Sequence, residues 1–152
     1  MFRGFSTVSI DSKGRMAIPS RYRDRLTEMA EGLLVLTLNP FDHALWLYPL
    51  PDWDEIEIKL SELSDFDLQS RRTKQMMRGY ANDCKMDSQG RILVPQELRD
   101  FADLQKQAAI LGQDNRLEIW NQANWEKQRD KWLSQVGSED GEVPESLRTL
   151  SL

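Results

Sequence analysis

The chain has one cysteine and one histidine in 152 residues. Cys84 alone excludes an internal disulfide, and with His43 as the only imidazole there is no thiol–imidazole cluster of the kind that holds zinc. The same scarcity leaves no second partner for a nucleophile relay, which counts against an enzyme. No GxxxxGK[ST] phosphate loop, HExxH or GxSxG occurs. No apolar run reaches the length needed to span a bilayer, and the N-terminus carries no secretory apolar segment. The expectation is a cytoplasmic protein with no membrane partner, no cofactor and no evident small-molecule substrate. Cys84 lies in a stretch of alternating apolar residues and reads as a small core residue.

Positive charge is also in deficit, with a formal net charge of −5, but the average hides segments of opposite sign. Residues 1–25 carry Arg3, Lys13, Arg15, Arg21, Arg23 and Arg25 against Asp11 and Asp24, whereas residues 26–64 carry eight acids against Lys59. A basic patch on an acidic surface is what a polyanion would meet locally.

What the chain does have is a repeat. Asp11-Ser12-Lys13-Gly14-Arg15-Met16-Ala17-Ile18-Pro19 returns in register as Asp87-Ser88-Gln89-Gly90-Arg91-Ile92-Leu93-Val94-Pro95, and Arg23-Asp24 falls on Arg99-Asp100. One structural unit has been used twice. Each copy is about 50 residues long, a size at which a lone core is marginal. The two copies are therefore expected to share one core or to exchange strands.

In each unit a strand leads into an Asp-x-x-Gly turn, a second strand leaves it, and a proline opens a short helix before two further strands. Asp at the first turn position can accept turn N–H groups, and Gly14 or Gly90 supplies a positive φ. The first helix is expected over residues 20–30 with Ser20 as cap. Asp52 and Glu55 suggest a capping box for the helix after Pro49 and Pro51, and a second helix over 65–79 makes a helical hairpin between the repeats. The second repeat's short helix is expected over 96–103. The expected organisation is a first repeat at 1–51, the helical bridge at 52–78, a second repeat at 79–121 and a C-terminal helix at 122–136. Residues 137–152 are acidic and interrupted by Gly and Pro, and are expected to be disordered or an extended arm.

A turn needs its Asp and Gly, but backbone geometry does not require an arginine directly after the glycine in both copies. Asp11 can pair with Arg15, and Asp87 with Arg91, which would set the direction of each guanidinium. Two readings of these arginines stay open: an ion pair that locks the turn, or a planar fork aimed at phosphate or at the O6/N7 edge of guanine. Lys13 and Arg3 read as supplementary phosphate contacts. Arg21, Arg23, Arg25 and Arg99 read as helix-surface charges or salt-bridge partners, and the run from Arg71 to Arg78 as a solvated face or subunit contact.

The doubled DSxGR-x-x-x-P unit, the opening MFRG, the segment LWLYPLPDW and the ending SLRTLSL together resemble the MraZ family of bacterial transcriptional regulators. A single copy is similar to the AbrB/SpoVT-type DNA-binding unit. The resemblance implies an α+β fold: an internally duplicated, AbrB-like swapped-hairpin β-barrel with a connecting helical hairpin and a C-terminal helix. It also implies a nucleoid-associated repressor that binds short repeats in double-stranded DNA upstream of the division and cell-wall gene cluster, and a ring-shaped homo-oligomer. Its DxxxR motifs fall on Asp11/Arg15 and Asp87/Arg91. Gln89 replaces Lys13 in the second copy, which assigns the larger electrostatic share to the first hairpin. The rival reading is an interaction scaffold or antitoxin-like protein whose basic patch binds an acidic partner.

Overall fold

A computed structural model describes residues 1–136 and 143–151. The fold is α+β. The first repeat contains β1 (Phe5–Ser9), β2 (Arg15–Ala17), α1 (Ser20–Ala30), β3 (Leu33–Leu38) and β4 (Leu45–Pro49). Helices α2 (Leu50–Glu62) and α3 (Leu68–Gly79) follow. The second repeat contains β5 (Asn82–Lys85), β6 (Arg91–Leu93), α4 (Gln96–Phe101), β7 (Gln107–Gln113) and β8 (Arg116–Asn121). Helix α5 (Gln122–Ser134) and the single turn α6 (Glu145–Arg148) end the described chain.

The strands do not pair within their own repeats alone. One antiparallel sheet runs β1-β7-β8-β4-β3-β5, so the first strand of each repeat lies beside the third strand of the other. A separate two-stranded ribbon joins β2 to β6. Each turn links ribbon and sheet through its own hairpin, with the Asp11 N–H donating to the Arg15 carbonyl at 3.0 Å and the Asp87 N–H to the Arg91 carbonyl at 2.9 Å.

One core follows from this exchange. Met16, Ile18, Leu26, Leu34, Leu36 and Leu47 pack in the same buried cluster as Ile92, Val94, Leu98, Ile110, Leu117 and Ile119. Neither half keeps its apolar side chains from water without the other, and a fully buried Ile or Leu is worth about 1.5–3 kcal/mol. Along β3, Leu34, Leu36 and Leu38 enter that core while Val35 faces a second cluster of Trp46, Tyr48, Trp53, Leu60 and Met77. Burial on both faces explains why Leu33–Leu38 is a nearly continuous apolar run instead of an alternating one. Trp120 and Trp125 form a third cluster where α5 covers β7 and β8.

Local details depart from the sequence reading at the helix starts. Pro19, not Ser20, occupies the N-cap position of α1, with no side-chain cap bond. Helix α2 starts at Leu50 after Pro49, so Asp52 lies inside the first turn and the Asp52–Glu55 capping box does not form. Pro51 lacks an N–H and is tolerated in a first turn, which lets the helix begin before Asp52. Side-chain caps appear instead at Asp67, which accepts from the Ser70 N–H at 3.1 Å, and at Asn121, which accepts from Asn124 at 3.0 Å. Helix α4 ends at Phe101, short of the expected Asp103. In the acidic tail, residues 137–142 and 152 lie outside the described residues, and Glu145–Arg148 is helical.

Candidate nucleic-acid interface

The two repeated turns have the same construction. Asp11 Oδ1 accepts from the N–H groups of Lys13 and Arg15, both at 2.9 Å, and Oδ2 accepts from Arg15 Nε at 2.9 Å. Asp87 does the same for Gln89 at 2.9 Å, Arg91 N–H at 2.8 Å and Arg91 Nε at 3.1 Å. The Gly14 and Gly90 N–H groups each donate to their aspartate's carbonyl at 3.0 Å, and both glycines have positive φ, +89° and +76°. The backbone N–H of the following arginine is the chief cause holding each carboxyl below its ordinary value of 3.8, with the guanidinium adding to it.

The ion pair therefore consumes Nε and one edge of the fork. Among the described residues no acceptor is bonded to the terminal nitrogens of Arg15 or Arg91, and their side chains are 39% and 37% exposed. The two readings of these arginines are compatible: the aspartate anchors the guanidinium, and its outer nitrogens stay available.

The ribbon then brings the two arginines together. Arg15 pairs with Leu93, Met16 with Ile92, and Ala17 with Arg91. Met16 and Ile92 face inward and are 1% exposed, so Arg15, Ala17, Arg91 and Leu93 share the outer face. Arg15 and Arg91 are diagonal neighbours there, a placement that separates backbones by about 7–8 Å.

Arg23 and Arg99, read from sequence as helix-surface charges or salt-bridge partners, have another place in the structure. Arg99 of α4 packs against Gly14, and Arg23 of α1 packs against Gly90, so each helix of one repeat supports the turn of the other. Arg23 Nε donates to the Ile18 carbonyl at 2.6 Å, whereas Arg99 Nε is buried without a hydrogen-bond partner among the described residues. Backbone bonds complete the seating: Val94 N–H donates to the Gly14 carbonyl and Ile18 N–H to the Gly90 carbonyl, each at 2.8 Å. The signal in the sequence was the register that sets Arg23 on Arg99.

The other basic residues disperse. Lys13 is exposed in the first turn, and Gln89 holds its place in the second. Arg3 is not brought to Asp11 and Arg15: it precedes β1 at the end remote from the turn, roughly 25 Å along a mostly extended chain. Its carbonyl accepts from the Tyr22 hydroxyl at 2.8 Å. Arg25 lies over the Phe2 ring at 5.6 Å. On α3, Lys74 pairs with Asp65, and Arg78 pairs with Glu57 and bonds Ser61 at 2.9 Å, so part of that basic run ties the helical hairpin together. Among the described residues no group of three or more His, Cys, Asp or Glu is placed to hold a metal ion, and no helix is long and apolar enough to cross a membrane.

Comparison with known proteins matches the family model described as "MraZ protein, putative antitoxin-like" twice, at residues 1–76 and 77–142. The chain is 42% identical to the transcriptional regulator MraZ of Halorhodospira halophila and 45% identical to that of Thioalkalivibrio sulfidiphilus, in both cases over the full length of both chains. It is 50% identical to the transcriptional regulator MraZ of Thiobacillus denitrificans over 88% of this chain and 90% of that one. These relatives carry the name of a regulator and not of an enzyme. With the doubled turn, the doubled family match and full-length similarity in agreement, the chain belongs to the MraZ family.

Proposed function

We propose that the protein is a sequence-specific DNA-binding transcriptional regulator, acting as a repressor, that reads double-stranded DNA with the β2–β6 ribbon. The observation that carries this reading is the pair of anchored arginines, Arg15 and Arg91, set side by side on one exposed face with their outer nitrogens available. A two-stranded ribbon fits the roughly 12 Å width of the major groove, where arginine recognises guanine O6/N7. Lys13 at the turn adds a phosphate contact that Gln89 cannot supply as a cation. Asp11, Gly14, Asp87 and Gly90 shape and aim the two turns, while Arg3 is left for a phosphate outside the ribbon. The exchanged strands and shared core support an AbrB-like swapped-hairpin barrel. The relatives' name supports regulation of transcription.

In the same reading the protein assembles as a ring-shaped homo-oligomer in the cytoplasm, at the nucleoid, and sets successive ribbons on short repeats upstream of the division and cell-wall genes. Tethering weak sites in this way multiplies affinity without new contacts. The test is a mobility shift with DNA from upstream of its own gene. Wild type is expected to give competitor-resistant retardation, and Arg15→Ala to lose at least tenfold in affinity while keeping its unfolding midpoint. If each ribbon neutralises roughly four phosphates, log K falls against log salt with a slope of about −3.6. Undiminished binding by folded Arg15→Ala removes the role of that residue. No wild-type retardation even at low salt leaves the assembly scaffold as the better reading.

A further inference from the structure

The ribbon's outer face is not symmetric. Arg15 and Arg91 are related by the repeat, but between them the repeat places Ala17 on one side and Leu93 on the other. Leu93 is 55% exposed on the same outer face as the two arginines, directly across from Arg15, whereas Ala17 is half-buried across from Arg91. A single exposed leucine is ordinary on a protein surface. This one is flanked by two guanidiniums held in place by their own aspartates, on a strand whose next residue inward, Ile92, is 1% exposed. The ribbon register therefore fixes where its backbone presents the side chain, across from Arg15.

In the major groove the apolar feature a side chain can meet is the C5-methyl group of thymine, and it marks that base uniquely. Building on the DNA-binding reading above, we infer that Leu93 is a specificity-determining residue that packs on a thymine methyl next to the guanine read by Arg15 or Arg91. The pseudo-symmetric half, with the short Ala17 in this place, lacks that reach. The two halves of one ribbon thus read unlike half-elements: both arginines favour guanine, and only the Leu93 side also selects thymine. Charge divides in the same sense, since Leu93 lies across from Arg15 at the end of the ribbon closed by the turn that carries Lys13, and Val94 N–H bonds the Gly14 carbonyl of that turn.

The test removes the methyl instead of the base. Full-length protein is titrated against the upstream duplex in which each thymine is replaced in turn by deoxyuracil, which keeps every hydrogen bond. Wild type is expected to lose about fourfold at one thymine per bound element, the factor equivalent to ~0.8 kcal/mol for one buried CH₂-sized group. Leu93→Ala should bind the natural duplex with the affinity wild type shows for the deoxyuracil duplex, and should be indifferent to the replacement. Leu93→Met, which keeps an apolar side chain of similar reach, should retain the sensitivity. Specific wild-type binding that ignores every deoxyuracil overturns this inference alone. So does a Leu93→Ala protein that changes oligomer size by sedimentation yet keeps full methyl sensitivity, which makes Leu93 a subunit contact. Absence of any specific wild-type binding overturns the regulator reading together with this one.

Discussion

Replacing the turn glycines with alanine separates the two halves of the molecule energetically. At Gly14 an added Cβ would lie 2.7 Å from the Val94 carbonyl oxygen and 2.7 Å from Arg99 Nε, in a residue whose φ is +89°. A left-handed backbone costs a non-glycine residue about 1–2 kcal/mol. The Val94 carbonyl belongs to backbone and cannot step aside. Relief therefore means moving the turn away from Val94, whose N–H donates to the Gly14 carbonyl at 2.8 Å. Leaving such a pair unmet costs ~1–3 kcal/mol. The expected loss for Gly14→Ala is thus about 2–5 kcal/mol.

At Gly90 the three nearest atoms in the way belong to the Arg23 side chain, which can swing outward at the cost of its bond to the Ile18 carbonyl. Gly90→Ala should lose about 2–3 kcal/mol: the same backbone cost and one hydrogen bond of ~1 kcal/mol. Urea unfolding followed by tryptophan fluorescence, at one fixed protein concentration, measures both. The expected order is wild type, then Gly90→Ala, then Gly14→Ala. A reversed order, or a Gly14→Ala midpoint equal to wild type, refutes the argument that backbone contact between repeats seats the first turn.

Two further expectations concern stability. Asp11 and Asp87 have folded-state pKa values below their ordinary 3.8, as do Asp65 and Asp67. The stability they supply is therefore complete above that value and is lost as pH falls through the folded values. Unfolding midpoints should be nearly level with respect to these groups from pH 7 to about 5 and decline below about 4. The Asp11→Asn/Asp87→Asn variant should decline less steeply, and parallel profiles would remove the turns from the acid response. Asp52, raised by burial, acts in the opposite direction and tempers the fall. Separately, Glu118 accepts from the indole N–H groups of Trp46 at 3.1 Å and Trp120 at 2.6 Å. Both rings are buried, so Glu118→Ala strands two donors and should cost about 2–4 kcal/mol, with a melting-temperature drop of roughly 5–15 °C. A drop under about 1 °C would show that the indoles find other acceptors.

Much of the turn was legible because its determinants are local. Asp11 and Gly14 are three residues apart, and each exerts its effect through bonds to its immediate neighbours. Cys84 was expected in the core because its alternation with polar neighbours matches a strand; it lies on the edge strand β5, half-buried and packed against the core. Burial pushes its thiol up to about 12. The helix starts were less legible. Ser20 and Asp52 have the chemistry of caps, but prolines before them moved the first helical residue earlier, and capping depends on position to within one residue.

Arg23 and Arg99 show the limit more sharply. Their spacing from the turn glycines of their own repeats is visible, yet each supports the glycine of the other repeat. Local periodicity states that a segment is a strand or helix and which face is apolar. It does not state which of several similar strands will lie beside it.

The amino-acid sequence by itself determined that one unit is used twice, that each copy makes an Asp-anchored turn, and that an arginine leaves each turn. These follow from contacts within about five residues. Only the tertiary structure decided that Arg15 and Arg91 stand on one face, that Leu93 lies across from Arg15 on that face, and that each turn is seated by the opposite helix. The physical reason is that neither half buries its own apolar face. Pairing β1 with β7, β5 with β3 and β2 with β6 closes both halves around one core, and this exchange brings together residues far apart in the chain.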